Sequence, residues 1–222
     1  METSNLFKYI DHTLLKPTSN WDQINKICEE ALQYHTASAC IVPSYVERAH
    51  QEYPNLNICT VIGFPLGYND SSTKAHETET MLKKGANEID MVMNICEFKN
   101  QNFEYVTKEI QTLKKICEKN LLKVIVETAY LDDDEIITIT KLVSDSGADF
   151  IKTSTGFASR GASFEDVEVF AKYKSPTLKI KAAGGISSVD DMEKFIKLGA
   201  ARLGTSSGIK LILGQTQTTS KY

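Results

Sequence analysis

The sequence predicts an α/β protein folded as a single (β/α)8 TIM barrel, and three observations carry that prediction. Apolar runs of strand length alternate with helix-period segments from one end to the other. Three stretches repeat one pattern: Gly85-Ala86-Asn87-Glu88-Ile89-Asp90, Gly147-Ala148-Asp149-Phe150-Ile151-Lys152 and Gly199-Ala200-Ala201-Arg202-Leu203-Gly204, with a fainter copy from His35 to Cys40. The copies lie about fifty to sixty residues apart, or two βα units at roughly 30 residues each. They therefore fall on alternate strands, which supply one layer of inward side chains in such a barrel. That puts Asp90 and Lys152 at one height, facing a common axis.

A strand over 9–13 leads to a helix over 21–34, and a strand over 37–42 to a helix over 44–52. A strand over 58–63 precedes a helix over 72–84, and Gly85 stands where a helix C-cap belongs. Next come a strand over 88–93 with a helix over 104–119, and a strand over 123–127 with a helix over 133–146, closed by Gly147. The strand over 150–153 is followed by a helix over 164–174. Ser163 is placed to cap that helix, and carboxylates fill its first turn. The strand over 178–182 feeds a helix over 189–198, bounded by Ser188 and Gly199. A strand over 202–204 and a helix over 206–213 complete eight units. An open doubly wound sheet is the alternative, but no GxGxxG follows the first strand. No linker splits the chain, so residues 1–214 are expected to form one barrel domain and 215–222 a mobile polar tail.

The 222 residues suffice for one full core, and the formal net charge of −4 opposes nonspecific binding to nucleic acid or anionic membranes. The longest apolar runs are strand-length, which predicts no membrane span, and the first residues lack a signal-peptide pattern. Cys28, Cys40, Cys59, Cys96 and Cys117 show no CxxC spacing, so reduced thiols and a cytoplasmic location are expected. His12, His35, His50 and His76 form no HxH or HExxH cluster, and no metal or cofactor is expected.

The chemistry lies at the strand ends. Lys152 and Lys181 each interrupt an apolar run near the C-terminal end of a strand, where barrel enzymes keep catalytic groups. A buried ammonium is costly unless paired, and a Lys–Asp bridge between strands would account for one lysine. Two lysines beside Asp90 exceed what one carboxylate neutralises. A neighbouring cation and desolvation lower a lysine's pKa from about 10.4 toward roughly 7–8, giving a free amine able to form a Schiff base. Spacing alone leaves open which lysine attacks; Lys179, one pleat deeper, is the weaker candidate and is expected at the barrel base or on an irregular edge. The loops after residues 154, 184 and 204 are rich in Gly, Ser and Thr, and the last two lie where barrels bind phosphate. Arg160 could add a cation.

Several motifs in order resemble one family over essentially the whole chain: residues 10–17 (IDHTLLKP), 39–43 (ACIVP), 61–67 (VIGFPLG), 88–92 (EIDMV), 151–157 (IKTSTGF) and 180–186 (IKAAGGI). The chain resembles the deoxyribose-phosphate aldolases, which are class I aldolases. The resemblance implies Lys152 as the Schiff-base lysine, Lys181 as the neighbouring cation and Asp90 as the proton-transfer carboxylate. It implies that Asp11, Thr13 and Cys40 line or support the substrate pocket. Thr155, Gly156, Gly184, Gly185, Gly204, Ser206 and Ser207 would bind the substrate, mostly at its phosphate. Tyr222 corresponds to a tail tyrosine that assists proton transfer in some members. Two cations found in some members are replaced here by Phe157 and Ser187, for which Arg160 is the candidate compensation, and Cys96 stands where a glycine is usual, read as a loop variation.

The implied activity is reversible cleavage of 2-deoxy-D-ribose 5-phosphate to D-glyceraldehyde 3-phosphate and acetaldehyde by a homodimer or homotetramer. A Schiff-base aldolase for another sugar phosphate is the alternative in the same class. A non-catalytic barrel that binds a phosphorylated metabolite is the alternative outside it. If Lys181 acts as the cationic neighbour, Lys181→Leu moves the optimum of the pH–rate profile upward; an unchanged profile refutes that role.

Overall fold

The computed structural model describes residues 3–215, so Tyr222 and all but the first residue of the expected tail lie outside the described region. Eight strands run β1 (Ile10–Leu14), β2 (Ser38–Ile41), β3 (Ile58–Ile62), β4 (Glu88–Val92), β5 (Leu121–Ile125), β6 (Phe150–Lys152), β7 (Lys179–Ala183) and β8 (Ala200–Thr205). Each pairs in parallel with the next, and β1 pairs with β8 to close the barrel. The four copies of the repeat sit on β2, β4, β6 and β8, the alternate strands expected of them.

The helices are α1 (Trp21–Gln33), α2 (Val46–Glu52), α3 (Ser71–Lys83), α4 (Ile95–Lys99), α5 (Phe103–Cys117), α6 (Asp133–Asp145), α7 (Phe164–Tyr173), α8 (Val189–Lys197) and α9 (Gly208–Ile212). Reciprocal capping boxes start α1 (Asn20 with Gln23), α6 (Asp132 with Glu135), α7 (Ser163 with Asp166) and α8 (Ser188 with Asp191). Gly85, Gly147 and Gly199 follow three helices with φ of 103°, 79° and 107°, as C-terminal caps require.

Several boundaries depart from expectation by about two residues, and three departures have a local cause. Residues 95–99, read as loop, form α4 because the Asn94 side chain accepts from the Glu97 N–H and starts a turn. α9 begins at Gly208 rather than 206, because the Thr205 hydroxyl accepts the Ser207 N–H and holds that stretch in a turn. β5 ends at Ile125 rather than 127, because Glu127 has left-handed backbone (φ 52°) and breaks the extended run.

Alternation along the strands divides the interior in two. Outward residues such as Ile41, Ile58, Ile89, Met91, Val124, Ile151, Ile180 and Leu203 are fully buried against helix residues including Ile24, Val106, Ile110, Ile139 and Phe170. Each such side chain stabilises by roughly 1.5–3 kcal/mol. The inward positions carry charge instead, so the apolar core is a sleeve around an ionic axis.

A second buried ion pair lies in that sleeve. Lys74 on α3 reaches Glu109 on α5 at 2.8 Å and donates to the Val92 carbonyl, while Glu109 accepts the Asn94 N–H. Burial pushes Lys74 down and Glu109 up despite their attraction, so each charge depends on the other. Lys74→Met strands a buried carboxylate and is expected to cost about 3–5 kcal/mol, with Lys74→Met/Glu109→Leu recovering most of it. Chemical denaturation of the three proteins tests this; a double variant no better than the single refutes it.

Candidate active site

Inside the barrel, the fourth and sixth residues of each repeat copy share the inward face, because strand side chains alternate with period two. The deepest layer is Ser38, Glu88, Phe150 and Arg202, from β2, β4, β6 and β8. The odd strands supply Asp11, Cys59, Lys123 and Lys181 above it. Cys40, Asp90, Lys152 and Gly204 form the layer nearest the mouth. Three layers of four is the usual filling of such a barrel, but branched aliphatic residues usually supply it.

Six of these groups close a ring of alternating charge. Arg202 contacts Asp11 at 2.5 Å, Asp11 contacts Lys181 at 2.5 Å, and Lys181 contacts Asp90 at 2.7 Å. Asp90 contacts Lys123 at 2.7 Å, Lys123 contacts Glu88 at 2.6 Å, and Glu88 returns to Arg202 at 2.9 Å. Three cations face three carboxylates. Lys152 is the seventh group, held outside the ring by the same Asp90 Oδ2 that binds Lys181, at 2.7 Å. The Lys152 and Lys181 nitrogens are thus separated by at most twice that distance.

The ring revises the role expected of Lys181. Two lysines and one carboxylate were anticipated, whereas three carboxylates are present and Lys181 is fully paired. Burial alone would lower Lys181, but Asp11 and Asp90 overcome it and hold the ammonium above its usual range. Lys123 is raised against burial by Asp90, Cys59, Asp11 and Glu88. Burial alone would raise Asp90, and Lys123, Lys152 and Lys181 hold it well below the usual carboxylate range. Asp11 is likewise depressed against burial, by Lys181, Lys123 and Arg202.

Above the ring opens a cleft of about 560 Å³. Thr13, Lys152, Thr155, Gly156, Gly184, Gly185, Gly204, Ser206 and Ser207 line it, and Lys16 and Lys210 stand on its exposed rim. Asp11 and Cys40 do not reach the cleft: both are fully buried, Asp11 paired with Lys181 and Arg202, Cys40 beside Cys59. Arg160 is also elsewhere, paired with Asp166 at 2.6 Å and donating to the Thr128 carbonyl. Lys179 is exposed at the N-terminal end of β7, at the barrel base. Phe157 packs edge-on against Phe64, and Ser187 binds Asp191.

Close packing favours glycine at Gly204 and, behind the cleft lining, at Gly161. A Cβ at Gly204 would lie 3.1 Å from Lys181 Cε and 3.0 Å from Ala183 Cβ, so any larger residue there would press on the lysine stem. Gly184 packs so tightly on Gly161 that a Cβ at Gly161 would lie 2.3 Å from the Gly184 carbonyl carbon. That contact locks the loop after β7 against the loop after β6.

Sequence reasoning missed Lys123, Glu88, Arg202 and Cys59. A signal existed: Glu88 and Arg202 hold the fourth place of the repeat, and Lys123 interrupts an apolar run as Lys152 does. Cys40, Cys59 and Asp90 also cluster with ligand atoms within 4.8 Å of one another. The Lys123 ammonium already contacts two of them, Asp90 at 2.7 Å and Cys59 Sγ at 3.3 Å.

The ring gives stability a pH dependence of definite sign. Asp11 and Asp90 titrate lower in the folded chain than in the unfolded one, where aspartate titrates near about 3.9. The unfolded chain then takes up protons first as pH falls, so the stability these groups contribute is complete above about pH 5 and drains below about pH 4. Urea midpoints are expected to be level from neutrality to about pH 5 and to fall steeply below about pH 4, less steeply for Asp11→Asn. A midpoint unchanged to about pH 3 contradicts this.

Comparison with known proteins agrees with this geometry. Residues 6–213 match the family described as DeoC/LacD family aldolase. The deoxyribose-phosphate aldolase of Streptococcus pyogenes serotype M4 is 52% identical, covering 100% of both chains, and that of Clostridium botulinum strain Alaska E43 is 50% identical, covering 97% of this chain and 98% of that one. The solved tetrameric deoxyribose phosphate aldolase of Aeropyrum pernix superposes with a TM-score of 0.89 at 31% identity, covering 96% of this chain and 92% of that one. With its closed barrel, its lysine cluster on β5 to β7 and these relatives, the chain belongs to the DeoC/LacD family of aldolases.

Proposed function

We propose that the chain is a class I aldolase that reversibly cleaves 2-deoxy-D-ribose 5-phosphate to D-glyceraldehyde 3-phosphate and acetaldehyde through a Schiff base on Lys152. One observation carries the assignment: of the three ammonium groups on Asp90, Lys152 is the one that lines the cleft, while Lys123 and Lys181 are sealed beneath it. The named relatives support the choice of substrate.

Attack requires a free amine. When Lys152 gives up its proton, the six ring charges still balance, so the amine is left beside a neutral scaffold. The amine adds to C1 of the open-chain sugar, and loss of water yields a protonated imine, which serves as the electron sink. The C3 hydroxyl loses its proton, the C2–C3 bond breaks, and its electron pair moves into the enamine as D-glyceraldehyde 3-phosphate departs. Protonation at C2 and hydrolysis then free acetaldehyde. Asp90, on Lys152 itself, is the group we assign to proton relay through water. Tyr222 lies outside the described residues.

The phosphate is assigned to the mouth, where Gly184, Gly185, Gly204, Ser206 and Ser207 surround one end of the cleft. Lys16 and Lys210 share that rim and replace the two cations lost to Phe157 and Ser187. We further assign residues 1–214 to one catalytic domain acting in the cytoplasm. None of the described helices is long and apolar enough to cross a membrane. A dimer or tetramer is the expected assembly, supported by the tetrameric relative from Aeropyrum pernix.

Borohydride added with acetaldehyde or the sugar phosphate is expected to reduce the imine and leave a stable adduct on Lys152, located by peptide mapping. Lys152→Ala should abolish both adduct and turnover. An intact, folded chain that traps nothing would be a binding barrel instead, and faster cleavage of a different sugar phosphate would change the substrate.

A further inference from the structure

We propose that Glu127 is a positioning residue: it locks the Thr155 hydroxyl so that it meets the substrate as a hydrogen-bond acceptor, matched to a sugar hydroxyl. The proposal rests on the aldolase reading of the cleft. Glu127 lies two residues beyond β5, just before a single 3-10 turn over Thr128–Tyr130, and is among the few described non-glycine residues with left-handed backbone (φ 52°, ψ 70°). Its carboxylate is 1% exposed, an unusual place for a charge. Both oxygens turn to a single residue: they accept the Thr155 backbone N–H at 3.1 and 3.3 Å, and one accepts the Thr155 hydroxyl in a short bond.

Counting donors and acceptors fixes the polarity. A threonine hydroxyl has one hydrogen and two lone pairs. The hydrogen goes to Glu127, and one lone pair accepts the Phe157 N–H at 3.0 Å. One lone pair remains, on a residue that lines the cleft with Lys152. An ionised carboxylate only accepts, so the arrangement cannot reverse while Glu127 carries its charge. Burial pushes the Glu127 carboxyl up, and the bonds from Thr155 together with the charges of Lys152 and Arg160 oppose that rise. On a hydroxyl that lines the cleft, the remaining lone pair repels a phosphate oxygen and attracts an O–H donor. Glu127 therefore acts through Thr155, and the group it helps to recognise is a hydroxyl of the sugar.

The test compares two reactions at the same lysine. Acetaldehyde carries no hydroxyl, whereas 2-deoxyribose 5-phosphate does. Glu127→Gln, whose amide can donate to Thr155 and reverse the bond, should lower kcat/KM for the sugar phosphate by about tenfold or more. Its rate of borohydride trapping with acetaldehyde should stay within about twofold. Thr155→Val should show the same split, and Thr155→Ser, which keeps the hydroxyl, should lose far less; this pair carries the test if Glu127→Gln does not fold. Normal cleavage by Glu127→Gln overturns the proposal. So does an equal fall in cleavage and trapping, which would mark Glu127 as a support of the loop alone. Failure of trapping in the unaltered chain would instead remove the aldolase reading on which the proposal stands.

Discussion

Asp90 accepts three ammonium groups on two oxygen atoms, and the rest of the site is arranged around that fact. Lys123 takes one oxygen while Lys152 and Lys181 share the other. In a dry interior such a carboxylate could not remain charged without them, nor could they remain charged without it. Asp11, Glu88 and Arg202 then close the circuit, so that around the ring each cation touches the carboxylate on either side of it and each carboxylate the cation on either side. The consequence is geometric as much as energetic. Five strands are tied through their side chains at the axis, and the one amine outside the circuit is held at a fixed place under the cleft.

The same arrangement explains why this barrel places charge on its axis and hydrocarbon in its sleeve. A purely aliphatic axis would leave Lys152 as a solitary charge above an apolar floor, at the full penalty for burying it. An ionic floor supplies a counter-charge without exposing the amine to bulk water. Small residues make the packing possible: Gly204 clears the path of the Lys181 stem, and Gly161 lets the neighbouring loops meet. The layer nearest the mouth therefore mixes a carboxylate, an amine, a thiol and a glycine, and no two of them are interchangeable.

Much of this was legible in the sequence because repetition is a statement about place. Equivalent residues of a βα repeat occupy equivalent positions on their strands, so Asp90 and Lys152 could be set at one height before any coordinate was known. The fold followed from strand and helix periods, and the capping serines Ser163 and Ser188 marked helix starts correctly. The ring was less legible. Its closure depends on reach, that is, on Arg202 spanning from β8 to both Asp11 and Glu88, and side-chain reach across a barrel leaves no local pattern. For the same reason Asp11 and Cys40 pass below the cleft and Arg160 turns away to Asp166.

The departures at the loops have a common physical origin: a side chain that bonds to nearby backbone overrides the propensity of its segment. Asn94 starts a helix where a loop was expected, Thr205 delays one, and Glu127 turns the chain out of β5. Asn94 and Thr205 turn the chain by bonding to backbone two or three residues away. Glu127 differs, because its carboxylate crosses to the loop after β6 and accepts the Thr155 hydroxyl, on a residue that lines the cleft with Lys152. An ending that came two residues early in β5 is thus tied to the neighbouring strand's catalytic end. In this barrel, the place where local pattern reading failed is also where backbone conformation and the cleft are joined.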